Sequence, residues 1–220
     1  MTRAFNMDCM EAMKQFPDKY FDLAVVDPPY GGVFTENGGC KGWFAKYHES
    51  EDEIIGWNSA PQKEYFDELA RVSKNQVIWG GNYFGLPPTR CFLIWRKLNI
   101  PLEGFTMSPV EYAWTSFNDN AQMLEAYSNG GSGREKRFHP TQKPIELYRW
   151  IFNRYAKPGD KILDTHLGSG SSRIAAYNAG LDFTGYEIDE TYFQLEEERF
   201  DRHASQMNLF IDTEVIPMQK

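Results

Sequence analysis

Lys161-Ile-Leu-Asp164-Thr-His166-Leu-Gly168-Ser-Gly170-Ser-Ser-Arg173 is the stretch that decides the fold. A short apolar strand runs into a tight loop holding two glycines, and Ser171 to Ala179 follows with helical spacing until Gly180 stops it. Phe183 to Ile188 then reads as a second strand and Asp189 to His203 as a charged helix. Strand, helix, strand in succession requires a parallel sheet with right-handed crossovers. The chain therefore reads as an α/β protein with a doubly wound, mostly parallel sheet.

Working outward, Pro144 to Tyr155 opens with proline and continues at helical spacing through Ile145, Leu147, Trp150 and Ile151. Toward the start, the apolar run Phe21-Asp-Leu-Ala-Val-Val ends abruptly at Asp27-Pro28-Pro29-Tyr30. Two prolines cannot continue a central strand, so Asp27 stands at a strand's C-terminal edge. Pro61 to Ser73 reads as a helix, and Gln76–Trp79, Cys91–Trp95 and Val110–Thr115 as strands. Gly31 to Ser59 reads as a long loop of the functional kind, and Ser116 to Phe138 as a second surface loop. With 220 residues the chain suits one domain, placed at 1–205, with a tail at 206–220.

Composition narrows the class. Hydrophobic content of 41% and aromatic content of 15% fit a globular enzyme. No apolar run approaches the roughly 20 residues that span a bilayer, and the first residues lack the apolar core of a secretion signal. Cys9, Cys40 and Cys91 are widely spaced, so neither a disulfide framework nor a metal site is expected, and a cytoplasmic setting is. The net charge of −8 speaks against nucleic acid, but its distribution answers the objection. Ten acids against three bases lie between Asp182 and Lys220, whereas Tyr83 to Lys143 holds seven bases and five acids.

Two segments carry chemistry. The Gly168-Ser-Gly170 loop lets backbone approach a ligand, and Glu187, at the end of the next strand, can accept from both hydroxyls of a ribose. A dinucleotide-binding unit competes, but Arg173 stands where its third glycine belongs. At the other end, Asp27 and the Pro28 carbonyl offer two fixed acceptors for an amino group. A base amine is a poor nucleophile because its lone pair is delocalised into the ring, and two acceptors would draw it toward a tetrahedral geometry. Tyr30 supplies an aromatic face for an unstacked base.

Together with Asn6-Met-Asp-Cys-Met-Glu and His139-Pro-Thr-Gln-Lys-Pro, these segments resemble the DNA amino-methyltransferases, which act on N6 of adenine or N4 of cytosine. Their order, catalytic tetrapeptide first and cofactor glycines last, resembles the β group, whose sheet is circularly permuted. Asp at the head of the tetrapeptide is what adenine-N6 members usually carry. The resemblance implies S-adenosylmethionine as cofactor and double-stranded DNA as substrate. It implies that Asp8 and Cys9 meet the cofactor's adenine, Glu187 its ribose, and Gly168 and Gly170 its methionine part. Thr141 and Lys143 would meet its carboxylate, with Asp27, Asp164, His166 and Ser169 completing the pocket. Thr165 and His166 depart from the family pattern, which commonly has proline and phenylalanine there.

The segment 83–138 falls where such enzymes hold their target-recognition part. Arg90, Arg96, Lys97, Arg134, Lys136 and Arg137 are its candidates for phosphates or base edges. Its shortness implies a short recognition sequence or a homodimer. In the tail, Gln206-Met-Asn-Leu209-Phe210 looks like a peptide that docks on the bacterial polymerase sliding clamp, a glutamine anchor with two apolar side chains for a groove. Cytosine-N4 methylation is the nearest alternative, and a silent nucleic-acid-binding module the alternative from another class.

Overall fold

The computed structural model describes residues 1–31, 59–104, 107–128 and 137–213, the last seven by backbone only. The expected loop at 31–59 therefore lies almost wholly outside the described residues, as do Arg134 and Lys136.

The strands are β1 (Thr2–Asn6), β2 (Phe21–Val26), β3 (Ser73–Trp79), β4 (Phe92–Lys97), β5 (Val110–Thr115), β6 (Gln122–Ala126), β7 (Lys161–Asp164) and β8 (Asp182–Glu187). The helices are α1 (Cys9–Met13), α2 (Lys63–Val72), α3 (Ile145–Tyr155), α4 (Ser171–Asn178) and α5 (Glu190–Thr213). The eight strands among the described residues form one sheet in the order β1-β8-β7-β2-β3-β5-β4-β6. Every pairing is parallel except those of β5, which runs against both β3 and β4.

Strand β2 shows why the sheet is covered on both faces. Its side chains alternate, so Leu23 and Val25 enter one core with Val77, Trp79, Leu147, Ile151 and Phe152. Ala24 and Val26 enter the other with Ile78, Leu163, Tyr65, Leu69 and Val72. Helices α3 and α4 cover the first face and α1 and α2 the second, which is why β2 reads as a continuous apolar run rather than an alternating one.

Three expectations change. Residues 116–138 are not one surface loop, because β6 pairs with β4 through Leu93↔Gln122 to Lys97↔Ala126. The last helix does not stop at His203. It continues to Thr213, so Gln206-Met-Asn-Leu-Phe210 is helical rather than a tail beyond the helix. An extended docking peptide would require that part of α5 to unwind. Strand β1 and helix α1 were not expected at all, although Asp8 followed by Glu11 has capping-box spacing. Among the described residues no helix is long and apolar enough to cross a membrane.

Helix α5 is fastened by charge to α4 and the glycine loop before it. Arg173 on α4 reaches Glu196 at 2.9 Å and also Glu197, while Arg199 donates to the Ser169 carbonyl at 2.6 Å and the Ser171 hydroxyl at 2.9 Å. The residue that occupies the place of a third glycine is thus half of a buried ion pair. Burial pushes the Glu196 carboxyl up to about 7, with Arg173 opposing. A raised carboxyl holds its proton more tightly in the folded state, so its contribution to stability declines as pH rises from about 4.5 to about 7. Arg173→Met leaves Glu196 without its closest cation and is expected to destabilise by about 3–5 kcal/mol. Denaturant titrations should show the larger loss above pH 7, where the wild-type pair is charged and the variant must bury Glu196 unpaired or protonate it. A smaller loss is expected near pH 5, where Glu196 is protonated with or without Arg173. An equal loss at both would mean Glu196 is not the group left exposed.

Candidate active site

Parallel strands bring their C-terminal ends to one edge, and the candidate residues collect there. Register places Asn6 opposite Glu187, and Asp164 opposite Gly185. Strand β2 hydrogen-bonds both β7 and β3, so Asp27 leaves the sheet beside Asp164. The chain moves from β2 to β3 in one direction and from β7 to β8 in the other. The crevice between β2 and β7 is therefore the topological switch point, the place where open α/β sheets bind ligands.

On the β7–β8 side, Asp164 is buried, accepting from the Ser172 hydroxyl at 2.6 Å and the His166 N–H at 3.1 Å. Burial pushes its carboxyl up to about 7, against those two donors. Glu187 accepts from the Gly168 N–H at 2.8 Å and the Asp189 N–H at 3.0 Å, and burial pushes it up to about 6. Gly170 has φ +72°, and a Cβ there would lie 2.4 Å from Glu196, so the loop needs glycine both for its turn and for the approach of α5. Ser169 is buried, its hydroxyl 3.2 Å from that of Ser171.

The two departures from the family pattern support each other. The Thr165 hydroxyl lies 3.0 Å from His166 Nδ1 and 2.6 Å from the Tyr65 hydroxyl, and the His166 ring meets the Tyr65 ring edge-on at 5.4 Å. Burial lowers His166 to about 4, so its ring is neutral near pH 7. His139 is packed against Tyr192 at 4.4 Å, with Thr141 at 3.2 Å from its Nδ1. Asp8 caps α1, accepting from the N–H groups of Met10 at 2.7 Å and Glu11 at 3.1 Å. Cys9 follows it, its thiol pushed up to about 12 by burial and by Asp8.

On the β2–β3 side, Asp27 is largely buried and Pro28 buried. The Tyr30 hydroxyl donates to Asp27 Oδ1 at 2.8 Å, and Lys143 Nζ donates to Oδ2. Lys143 was expected at a cofactor carboxylate. The structure instead seats it between Asp27 and Glu111 Oε2, the latter at 3.2 Å, with the Trp79 ring 5.6 Å away. Lys97 Nζ completes the row, 2.6 Å from Glu111 Oε1. Burial raises the Asp27 carboxyl, and Lys143 offsets this only in part. For Glu111 burial acts the same way, but Lys143 and Lys97 overcome it and hold its carboxyl below the usual value.

Two aromatic neighbours of the tetrapeptide escaped the sequence reading. Tyr83 stacks on Tyr30 with ring centres 5.0 Å apart and planes at 22°, and Phe84 approaches it edge-on at 6.3 Å. Glu111 escaped as well. Its signal was a lone acid on an apolar strand, in register with the buried Ala113 and Thr115.

The basic residues divide. Lys97 is buried against Glu111, which takes it away from any phosphate, and this corrects its place among the DNA contacts. Arg137 donates to the carbonyls of Pro140 at 3.3 Å and Gln142 at 3.0 Å, so its guanidinium braces the turn that delivers Lys143. Arg90 is at the surface beside Asn120, and Arg96 is half-buried 3.8 Å from Glu125.

Residues 94–198 match the model of a DNA methylase family of the N6/N4 kind. This segment, a little under half of the chain, carries the likeness to the DNA methylases. The match begins in β4 and ends in α5, so it holds Lys143, both loop glycines and Glu187 but not Asp27 to Tyr30. The chain is 24% identical over 245 residues to the type II methyltransferase M2.LlaDCHI of Lactococcus lactis subsp. cremoris, covering 91% of this chain and 89% of that one. Its fold is that of the M1.HpyAVI–SAM complex, with TM-score 0.58, 20% identity, and 90% and 98% of the two chains covered. PvuII DNA methyltransferase, cytosine-N4-specific, superposes with TM-score 0.61 at 14% identity, covering 90% and 86%.

Proposed function

We propose that this protein is a DNA methyltransferase that transfers a methyl group from S-adenosylmethionine to N6 of an adenine flipped out of double-stranded DNA. The observation that carries the reading is the Asp27 carboxylate, held by Tyr30 and Lys143 at the end of β2, beside the strand that carries the glycine loop.

The donor set fits the cofactor. Glu187 retains lone pairs for two ribose hydroxyls, and the buried loop at Gly168 and Gly170 leaves no side chain between backbone and ligand. Asp8, Cys9, Thr141, Asp164, His166 and Ser169 would complete the pocket. When bound, S-adenosylmethionine supplies a methyl group already electrophilic on its sulfonium. The chain's own task is positioning. Asp27 and the Pro28 carbonyl accept from the two amine protons, and a carboxylate has about four lone-pair sites, so Tyr30 and Lys143 do not exhaust it. Tyr30, kept protonated by burial, fixes the carboxylate's orientation and presents its ring. Arg90 and Arg96, with Arg134 and Lys136, remain the candidates for DNA contact.

The deciding experiment is incubation of unmethylated DNA with methyl-labelled S-adenosylmethionine, followed by nucleoside mass analysis. N6-methyladenine is the expected product. N4-methylcytosine would keep the site and change the base, and no methylated base would overturn the proposal. Glu187→Gln is expected to weaken S-adenosylmethionine binding about 10–100-fold, the worth of a charged hydrogen bond. Wild-type affinity should fall as pH drops below about 6, where Glu187 takes up a proton, whereas the glutamine variant should lack that decline. Calorimetric titration on both sides of that pH checks this, and matching pH profiles would remove Glu187 from the ribose.

A further inference from the structure

Between Lys97 at the end of β4 and Tyr30 runs a row of four charges of alternating sign, Lys97, Glu111, Lys143 and Asp27, the two lysines buried and the two carboxylates largely so. A carboxylate buried alone would take up a proton rather than remain charged. A protonated carboxyl would have to donate one of the hydrogen bonds that the proposed role requires it to accept. The group that opposes this is Lys143, delivered by the turn before α3 and itself 4% exposed at the side chain. Its ammonium has three protons, and the carboxylates of Asp27, just beyond β2, and of Glu111, on β5, both lie against it. Such an arrangement is stiffer than a single pair, because Glu111 is itself held from β4 by Lys97 at 2.6 Å.

We infer that Lys143 is the positioning residue of Asp27: it balances the charge of the carboxylate and holds Oδ2, and Glu111, anchored by Lys97, keeps Lys143 in place. The inference rests on the reading that Asp27 accepts from the target amine. Raised Lys143 and lowered Glu111 are what such a row produces, since the opposite charges outweigh burial for both. Among the described residues, the titratable groups facing Asp27 are Tyr30 from its own loop, Lys143 and Tyr148 from the α3 side, Glu111 from β5, Asp164 from β7 and Tyr65 from α2. Of these, Lys143 is the one cation, so its removal must shift Asp27 toward the protonated form.

The test has a readout independent of DNA. In full-length protein with carbon-13-labelled aspartate carboxyls, the Asp27 resonance is assigned by its loss in Asp27→Asn and titrated in wild type, Lys143→Met and Lys143→Arg. The midpoint is expected to rise by about one pH unit or more in Lys143→Met and to stay near wild type in Lys143→Arg, which keeps the charge. The acidic limb of kcat should move with it. Glu111→Gln should lower kcat about tenfold with S-adenosylmethionine affinity unchanged. An unmoved Asp27 midpoint in folded Lys143→Met overturns the inference. So does a Lys143→Met variant that loses S-adenosylmethionine affinity while its kcat limb stays in place, since Lys143 would then serve the cofactor alone. Unaltered kcat in Glu111→Gln removes the anchor. Absence of methylation by the wild type would instead fail the functional reading and leave the titration result standing.

Discussion

Asp27→Asn is expected to lower the single-turnover rate of methyl transfer by about 10²–10³-fold, the worth of one well-placed acceptor that acts in the transition state. Asparagine keeps the shape of the side chain but removes the charge, and turns one of its two acceptors into a donor. Whichever way the amide faces, its NH2 meets either the Lys143 ammonium or the proton donors on the other side, Tyr30 and the target amine. Lys143 keeps Glu111, so the variant should fold. Binding of S-adenosylmethionine should stay within a few-fold, because the groups proposed to hold its ribose and methionine part lie on β7, β8 and their loop. Rapid-quench rates beside a cofactor titration separate the two effects. A rate within a factor of about three of wild type would take Asp27 out of the chemistry.

Gly80→Ala is expected to have the second-largest effect, although Gly80 is not among the residues proposed to touch substrate. It follows β3 with φ +69°, and a Cβ built on it would lie 2.1 Å from Tyr30 Cε1 and 2.7 Å from Cζ. Real carbons do not approach so closely, so the Tyr30 ring must move and its hydroxyl must leave Asp27. A fall in kcat of about 10–100-fold is expected, with about 1–2 kcal/mol lost to the left-handed backbone conformation. Gly85→Ala is the control, since no described residue lies within 4 Å of its added carbon. The mechanism is tested by a double-mutant cycle. If Gly80 acts through Tyr30, then Gly80→Ala should lower kcat little further in a Tyr30→Ala background. Full additivity would mean that the two residues act separately.

The parts of this molecule legible in its sequence are those written in neighbouring residues. The strand that ends at Asp27 is visible because two prolines follow it. The glycine loop and its flanking strand and helix are visible because a positive φ and an apolar period each leave a local mark. From these the parallel sheet and the pairing of a tetrapeptide with a glycine loop could be drawn, whereas the switch-point crevice follows only from the strand order. The reversed direction of β5 could not, because an alternating pattern reads the same from either end. Strand β6 hid in a polar stretch, since an edge strand with half-exposed side chains carries no apolar run. The end of α5 hid because no glycine or proline marks it before Thr213.

Tertiary structure alone decided which cation meets which carboxylate. Lys143 and Asp27 are 116 positions apart, and Glu111 arrives on a third element. Charge by itself offered Lys97 to phosphates or base edges, and the family resemblance offered Lys143 to a cofactor carboxylate. Folding buried both, and a buried ammonium must find carboxylates close by or lose its proton. The sequence thus determined that an acceptor, a glycine loop and an acid would stand along one edge of a parallel sheet. Only the packing of β4, β5 and the turn before α3 decided that the acceptor would be held by a lysine, because that contact depends on distances no local preference encodes.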